Sequence, residues 1–489
     1  MTPEDRRKVD RMFNPRGIAI FGGFSSDFSF GQLTRLAQIH YGYQGKIYPI
    51  SARGGESAGL KVYRHLGEVE GPVDLASISV PAEGVPAILK ECLDHGLAGV
   101  QIQSSGFAEV GGHGATLEEE IRAIAAQGLR VVGPNCFGIH SPRGGLTLIP
   151  GTDFSREPGS VAMISQSGGL AADFGYEASH QGLRLSKVVS YGNGSDLEAV
   201  QLLDYLADDP ETEIIAAYVE GVPDGRRFLQ LVRDITRRKP VVVWKAGLTP
   251  LGGRAVRSHT GSMGGEPNIW QAALTQAGAV VVQGLDEMID ALTGLKYLRP
   301  PGNRLVLVGG GGAIGVFSSD LAHRWGLDVS PFNPDTQRRL ARFFHNPGFS
   351  VANPLDTATP ICPLDDLEGI LREVMDSEPP DVLVLILMLR PIEMEINVFS
   401  KLSGLEPPPS GGYLESVVGM MSRHKQETGQ DLVLVLENRS YRSEDVGVEA
   451  VSRKIRPQFQ SAGIPVFSRA ERAVRGIRHA LTGWSKLAK

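Results

Sequence analysis

Three doubly wound parallel-sheet domains of the α/β class are predicted for this chain, on three observations. Its 489 residues exceed what one hydrophobic core serves and suggest two to four domains. Short β-branched runs alternate with helix-like stretches along the whole length, which is the pattern of parallel strands joined by crossover helices. Glycine-rich turns follow several of these runs at their carboxyl ends, where open parallel sheets bind ligands. The predicted domains are residues 1–145, 150–298 and 303–489.

In the first segment the strands are Ile18–Phe21, Ile47–Ile50, Leu75–Val80, Val100–Ile102 and Arg130–Val132, with helices around Leu33–His40, Val85–His95 and Leu117–Ala126. Gly22-Gly23-Phe24-Ser25-Ser26 follows the first strand and Gly31 opens a helix, so backbone N–H groups could cradle a phosphate there. G-x-G-x-x-G spacing is absent, and an ordinary βα turn has the same composition. Gly133-Pro134-Asn135-Cys136 is a tight turn that presents Asn135 to the crevice. No histidine is locally arranged to activate Cys136, which reads as a packed thiol.

The second segment opens after a turn-rich stretch, Ser141–Gly145 to Glu157–Gly159, read as a linker. Strand Val161–Ile164 runs into Ser165-Gln166-Ser167-Gly168-Gly169 and a helix from Leu170 to about Gln181. Small residues and a helix amino end favour an anion, although a plain capped helix looks similar. Tyr191–Asp196 ends the next strand with another such turn, and Ile214–Val219 leads to Glu220. After Pro240, the buried strand Val241-Val242-Val243 empties into a glycine-rich loop, Gly247 to Gly265, that carries His259. An imidazole there is a candidate nucleophile; the alternative is a histidine that only packs. Glu220 is placed to orient the ring or to end its strand in solvent.

The third segment follows the break Arg299–Asn303 with strands Leu305–Val308, Val382–Leu389, Leu432–Leu436 and Pro465–Phe467. Gly310, Gly312 and Gly315 satisfy G-x-G-x-x-G, with Asp328 downstream, which on its own suggests a dinucleotide site. Pro407–Gly412 reads as a surface loop.

Lys plus Arg number 49 and Asp plus Glu 55, for a net charge of −6 with both signs interspersed, which argues against nucleic-acid binding. Cys92, Cys136 and Cys362 lack disulfide or zinc spacing and fit a reducing cytoplasm. The charged amino terminus is no secretory signal, and the longest apolar run, Val382–Leu389, has the length of a strand rather than a membrane span.

Gly133–Ile139, Ser165–Gly169 and Ser258-His259-Thr260-Gly261-Ser262-Met263-Gly264-Gly265, in this order along the chain, closely resemble signatures of the NDP-forming acyl-CoA synthetases, relatives of succinyl-CoA synthetase. The resemblance spans essentially the whole chain. It implies a Rossmann-like CoA-binding domain followed by two flavodoxin-like domains. It implies coenzyme A contacts at Gly22, Gly23, Phe24, Ser25, Val80, Pro81 and Asn135. Arg53 stands near the place where relatives carry the lysine of Asn-Pro-Lys. His259 is the implied phosphohistidine, held by Glu220, with phosphate bound by Ser165, Gln166, Ser167, Gly168 and Gly169 and by a second helix end at Gly311, Gly312 and Ala313. The last turn departs from the family's Asn-Ala-Gly-Gly-Pro-Gly. The implied reaction is acyl-CoA + phosphate + NDP ⇌ acid + CoA + NTP, through an acyl phosphate. No G-x-x-x-x-G-K-[ST] loop or ATP-grasp module is present in the sequence, so the expectation is an α-type subunit of a hetero-oligomer whose β partner binds ATP or ADP and Mg²⁺. A CoA-binding regulatory protein and a dinucleotide-dependent enzyme are the alternatives.

Overall fold

The computed structural model describes residues 1–24, 29–57, 59–148, 153–260, 266–344, 349–357, 361–392, 394, 396, 402, 410–438 and 441–487, without the side chains of 255, 257–260, 410, 411 and 444. Ser25, Gly261–Gly265 and Pro407–Pro409, singled out in the sequence, lie outside these residues. The chain divides into two compact units, Met1–Ile289 and Asp290–Ala488.

The first unit holds two sheets. One has the spatial order Lys46–Ile50, Gly17–Phe21, Leu75–Ile78, Gly99–Ile102, Arg130–Val132, all parallel. The other runs Val280–Val281, Val241–Lys245, Ile214–Val219, Val161–Ser165, Leu185–Ser190, all parallel, and is closed by an antiparallel edge strand, Gly138–His140. Counting only the parallel strands in chain order, both sheets read 2-1-3-4-5. Such a sheet reverses direction between its first and third strands, and the crevice outside their carboxyl ends is where ligands bind. The central strands are buried on both faces, so Val241–Val243 and Ile214–Ala217 are continuous apolar runs without alternation.

Two elements bind these sheets into one unit. Helix Pro3–Phe13 is capped by Thr2, whose hydroxyl accepts from Asp5 N at 3.1 Å, and buries Val9, Met12 and Phe13. These three share a core with Ile18 and Ile20 of the first sheet and with Ala162, Ile164 and Val189 of the second. The second element is Gly138–His140, which follows the last strand of the first sheet yet pairs with Leu185–Ser190. The step between sheets thus begins before the turn-rich stretch that reads as a linker.

The second unit has one parallel sheet in the order Leu305–Gly309, Val382–Met388, Asp431–Glu437, Val466–Phe467. On the free side of its first strand, bridges at Arg304–Asp328 and Val308–Leu355 replace a regular second strand. Ser410, Gly411 and Gly412, expected in a loop, open helix Ser410–Thr428 instead. Among the described residues no helix is long and apolar enough to cross a membrane.

Candidate active site

At the switch point of the first sheet, Gly22 follows strand Gly17–Phe21 and its N–H donates to Ile50 O at 3.2 Å. A Cβ on Gly22 would lie 2.7 Å from Ser79 Oγ and 3.0 Å from Gly31 Cα, so only glycine lets this turn close onto the following helix, Phe30–Tyr41. Gly23 has space beside it, the nearest atom to its Cβ position being Ser29 Cβ at 3.5 Å. Phe24 is half-buried, and its carbonyl accepts from Ser57 Oγ at 3.2 Å. Val80 and Pro81 leave the third strand beside the turn; the Val80 carbonyl accepts from Ser104 Oγ. Arg53 follows strand Lys46–Ile50, is exposed, and pairs with no carboxylate among the described residues. A close glycine turn, a helix amino end without a side-chain cap and an uncommitted guanidinium fit a phosphate-bearing ligand such as coenzyme A.

Turns from the carboxyl ends of the two sheets are hydrogen-bonded together. Asn193 N donates to Pro134 O and Ser195 N to Gly133 O, each at 3.0 Å, and the space for a Cβ on Gly192 is taken by the Pro134 and Asn135 carbonyls. Asn135 is half-buried and has a φ of 57°, alone among described non-glycine residues in the left-handed region. Asn193 Nδ2 donates to Glu109 at 2.7 Å and to Glu118 at 2.8 Å, tying the same turn to a connection of the first sheet. Cys136 beneath this seam is buried, gives its S–H to Ile102 O at 3.2 Å, and is pushed up to about 12 by burial, which leaves it an inert thiol.

The second switch point lies between the ends of Val161–Ser165 and Ile214–Val219. Glu220 is 4 % exposed, so it does not end its strand in solvent. Its N–H donates to Gln166 Oε1 at 2.8 Å, and Gly221 N donates to the same oxygen at 3.1 Å. Tyr218, two residues earlier and on the same face, donates its hydroxyl to Glu220 Oε1 at 3.1 Å. Lys245, at the end of the neighbouring strand, is buried and donates Nζ to Glu220 O at 2.7 Å. Burial holds the Lys245 ammonium below its usual range and pushes the phenol of Tyr218 up, the Glu220 carboxylate adding to the latter. Tyr191, fully buried, has a hydroxyl with no hydrogen-bond partner among the described residues; burial pushes it well up, and Glu198 and Glu220 push further.

Ser165 Oγ donates to Ser167 O at 2.7 Å and shapes the turn into helix Gly168–His180. Ser167 caps this helix by accepting from Leu170 N, which leaves the amides of Gly168 and Gly169 without an acceptor among the described residues. Apart from its own turn of helix, no described atom lies within 4 Å of a Cβ position on Gly169, so that amino end is open on one side.

His259 was expected in a glycine-rich loop, but the structure continues Val241–Lys245 through Gly247 into helix Pro250–Thr260, and His259 is its penultimate residue. Val256 packs under Gly247, whose φ is 73°, and supplies the apolar contact that two helical glycines would otherwise fail to support. The helix runs against the short turn Ala108–Val110 of the first sheet's layer, so it leaves the second sheet and reaches the first. The His259 ring lies outside the described side chains. At the foot of the helix is a groove of about 540 Å³, lined by Trp244, Lys245, Gly247, Thr249, Gly252 and Trp270 among others.

In the second unit, Gly309, Gly310 and Gly311 have φ of 90°, 80° and 77° and lead into helix Gly312–Arg324, with Gly312 and Ala313 in its first turn. The Asp356 carboxylate lies 3.2 Å from where a Gly312 side chain would begin, so this amino end already has an acidic neighbour. Asp328 bridges Arg304 at the opposite, amino end of the strand. A dinucleotide site needs its acid at the carboxyl end, so Gly310, Gly312, Gly315 and Asp328 do not form one.

Tyr218, Tyr191 and Lys245 are not legible as site residues in the sequence, where Gln166 reads as a phosphate ligand alone. Period-two spacing puts Tyr218 on the Glu220 face; Lys245 pairs in register with Val219, which no local pattern reveals.

A family model described as a CoA-binding domain matches residues 16–142, and one described as a succinyl-CoA ligase like flavodoxin domain matches residues 158–295. The chain is 34% identical to acetate–CoA ligase [ADP-forming] II subunit alpha of Pyrococcus furiosus, over 95% of both proteins. It is 36% identical to acetate–CoA ligase [ADP-forming] I of Archaeoglobus fulgidus, over 69% of this chain and 50% of that longer one. A solved dinucleotide-forming acetyl-coenzyme A synthetase 1 of Ca. Korarchaeum cryptofilum, in complex with phosphate and ADP, superposes with a TM-score of 0.80 over 98% of each chain at 28% identity. Full-length identity of this order, on a chain whose two switch points carry the expected glycine turns, means that it belongs to the α subunits of the ADP-forming acyl-CoA synthetases.

Proposed function

We propose that this ligase subunit passes phosphate from an acyl phosphate to His259 and then to a nucleotide bound by a separate ATP-grasp β partner. The observation that carries the reading is Glu220: a carboxylate buried at the second switch point, beside the open amino end of helix Gly168–His180, in the same unit as the CoA turn. Coenzyme A is held at Gly22, Gly23, Phe24, Arg53, Val80, Pro81 and Asn135, with Ser25 assigned by resemblance. Phosphate is held by Ser165, Ser167 and the amides of Gly168 and Gly169; a helix end contributes about 0.3–1 kcal/mol to an anion when exposed and more when partly buried. Gly311, Gly312 and Ala313, assigned to phosphate by resemblance, open a helix of the second unit whose amino end has Asp356 as a resident carboxylate that phosphate would have to displace or neutralise.

In the transfer, an imidazole nitrogen of His259 forms the N–P bond as the P–O bond to the acyl group breaks, and the acid leaves as carboxylate. Glu220 accepts from the other ring N–H, fixing the tautomer and stabilising the ring's positive charge. A β phosphate of NDP then takes the phosphoryl group. Support for a separate nucleotide half comes from the relatives: the Pyrococcus furiosus ligase that matches over 95% of both proteins is named a subunit alpha, whereas the Archaeoglobus fulgidus ligase is matched over 50% of its length. ATP or ADP and Mg²⁺ belong there, and the complex is a hetero-oligomer in the cytoplasm.

The test is incubation of the purified chain with acetyl-CoA and phosphate. Expected are CoA release, an acid-labile phosphoryl adduct that is absent in His259→Ala, and NTP formation from NDP only after a β partner is added. An adduct that persists in His259→Ala defeats the assignment, and NTP synthesis by the chain alone defeats the division of labour.

A further inference from the structure

The contacts of Gln166 point to a role different from simple phosphate binding: we infer that Gln166 is the positioning residue that sets the main chain of Glu220, with Oε1 as its working atom. The inference rests on the reading of His259 and Glu220 given above. Gln166 is 6 % exposed at the end of the first strand of the second sheet, and its own N–H donates to Tyr218 O at 3.2 Å. Its Oε1 accepts from Glu220 N at 2.8 Å and Gly221 N at 3.1 Å. Both partners are donors, so chemistry fixes which end of the amide faces them, and the usual oxygen–nitrogen ambiguity of glutamine does not arise.

The two amides served are those that the sheet abandons. Strand Ile214–Val219 stops at Val219, and the chain turns away at Glu220 with two buried N–H groups that must find an acceptor. One side-chain oxygen takes both, and so pins the peptide planes on either side of Glu220 Cα. The Glu220 carbonyl is held from the opposite side by Lys245, and the carboxylate by Tyr218. With the main chain fixed on both sides, the carboxylate has only its own rotamers left, and the hydroxyl of Tyr218 restricts those. The same planar amide turns Nε2 away from Glu220; no acceptor takes it among the described residues.

Two substitutions separate the two ends of the amide. Gln166→Leu removes the acceptor and keeps the bulk. Gln166→Glu keeps an acceptor oxygen but puts negative charge where Nε2 stood. Native-state hydrogen exchange at the Glu220 and Gly221 amides is read beside the rate of His259 phosphorylation. Gln166→Leu is expected to lose protection at both amides and to lower the rate at saturating phosphate roughly 10- to 100-fold, as small displacements of reacting groups do, with CoA affinity unchanged. Gln166→Glu is expected to keep that protection and to raise KM for phosphate by about tenfold or more through like-charge repulsion. Wild-type protection or a wild-type rate in Gln166→Leu overturns the inference. If Gln166→Leu does not fold, as lost CoA binding would show, Gln166→Glu decides: loss of amide protection in that variant overturns it equally. A wild-type chain that takes no label defeats the reading of His259 instead, and the exchange measurement still decides the role of Gln166.

Discussion

Lowering the pH from 7 to 5 should loosen the edge strand Gly138–His140 through His140. This imidazole is fully buried, packed edge-on against Tyr41 at 5.3 Å and Phe154 at 5.1 Å; Nδ1 faces Thr147 Oγ1 at 3.3 Å and Nε2 has no partner among the described residues. Burial lowers its pKa to about 3. In the unfolded chain the group takes its proton near pH 6.5, so between pH 6.5 and 3 the open state binds a proton that the closed state refuses. Acid therefore favours opening across that window, at about 1.4 kcal/mol per pH unit, or about 2 kcal/mol at pH 5. The assay is the free energy of opening from amide exchange at 138–140, in the wild type and in His140→Gln, which cannot titrate. The wild type should lose about 2 kcal/mol more than the variant between pH 7 and 5. Parallel pH profiles would refute burial of a neutral imidazole as the cause.

Glu220→Gln should slow His259 phosphorylation by roughly 100-fold, the scale on which a misdirected reacting group acts, while CoA affinity measured by calorimetry stays unchanged; a fall in both would indicate misfolding. Arg53→Ala should weaken CoA about two- to fivefold, as suits an exposed ion pair, and leave dephospho-CoA unaffected; equal loss for both ligands would remove Arg53 from the phosphate contact. Burial raises the thiols of Cys92, Cys136 and Cys362, the last two to about 12 and about 11. No native thiol should therefore react with a disulfide reagent at pH 8, whereas the denatured chain should titrate three; rapid native labelling would contradict the burial.

The strands were legible because doubly covered sheets leave almost no choice of composition. Val241–Val243, Leu305–Val308 and Val382–Leu387 are each buried on both faces, and continuous β-branched or leucine runs meet that demand. The glycine turns could be read for a related reason: Gly22 has no room for a side chain, so composition records a steric fact. Elements settled by distant partners stayed hidden. Gly138–His140 has no strand-like composition and becomes one by pairing with Ser190, Val189 and Val188. Helix Pro250–Thr260 contains Gly252 and Gly253, each costing about 1 kcal/mol against a helix, and the packing of Val256 under Gly247 offsets that locally invisible penalty. Motif position pointed to Glu220 and period-two spacing puts Tyr218 beside it, but its burial and its contacts with Gln166 and Lys245 come from neighbouring strands, 54 and 25 residues away along the chain.

The groove at the foot of the His259-bearing helix makes the protein its own optical instrument. Trp244 and Trp270 face it with Gly247 and Gly252, and the Lys245 ammonium sits 5.4 Å from the Trp270 ring. The other two tryptophans, Trp325 and Trp484, belong to the second unit, where they lie against His479 and Arg299. With Trp325→Phe and Trp484→Phe in place, tryptophan emission arises only from the groove. A rotation of the helix about Gly247 would change the solvent and the cation around two indoles, so its occurrence and timing would be readable by stopped-flow emission, without a dye and before any product is formed.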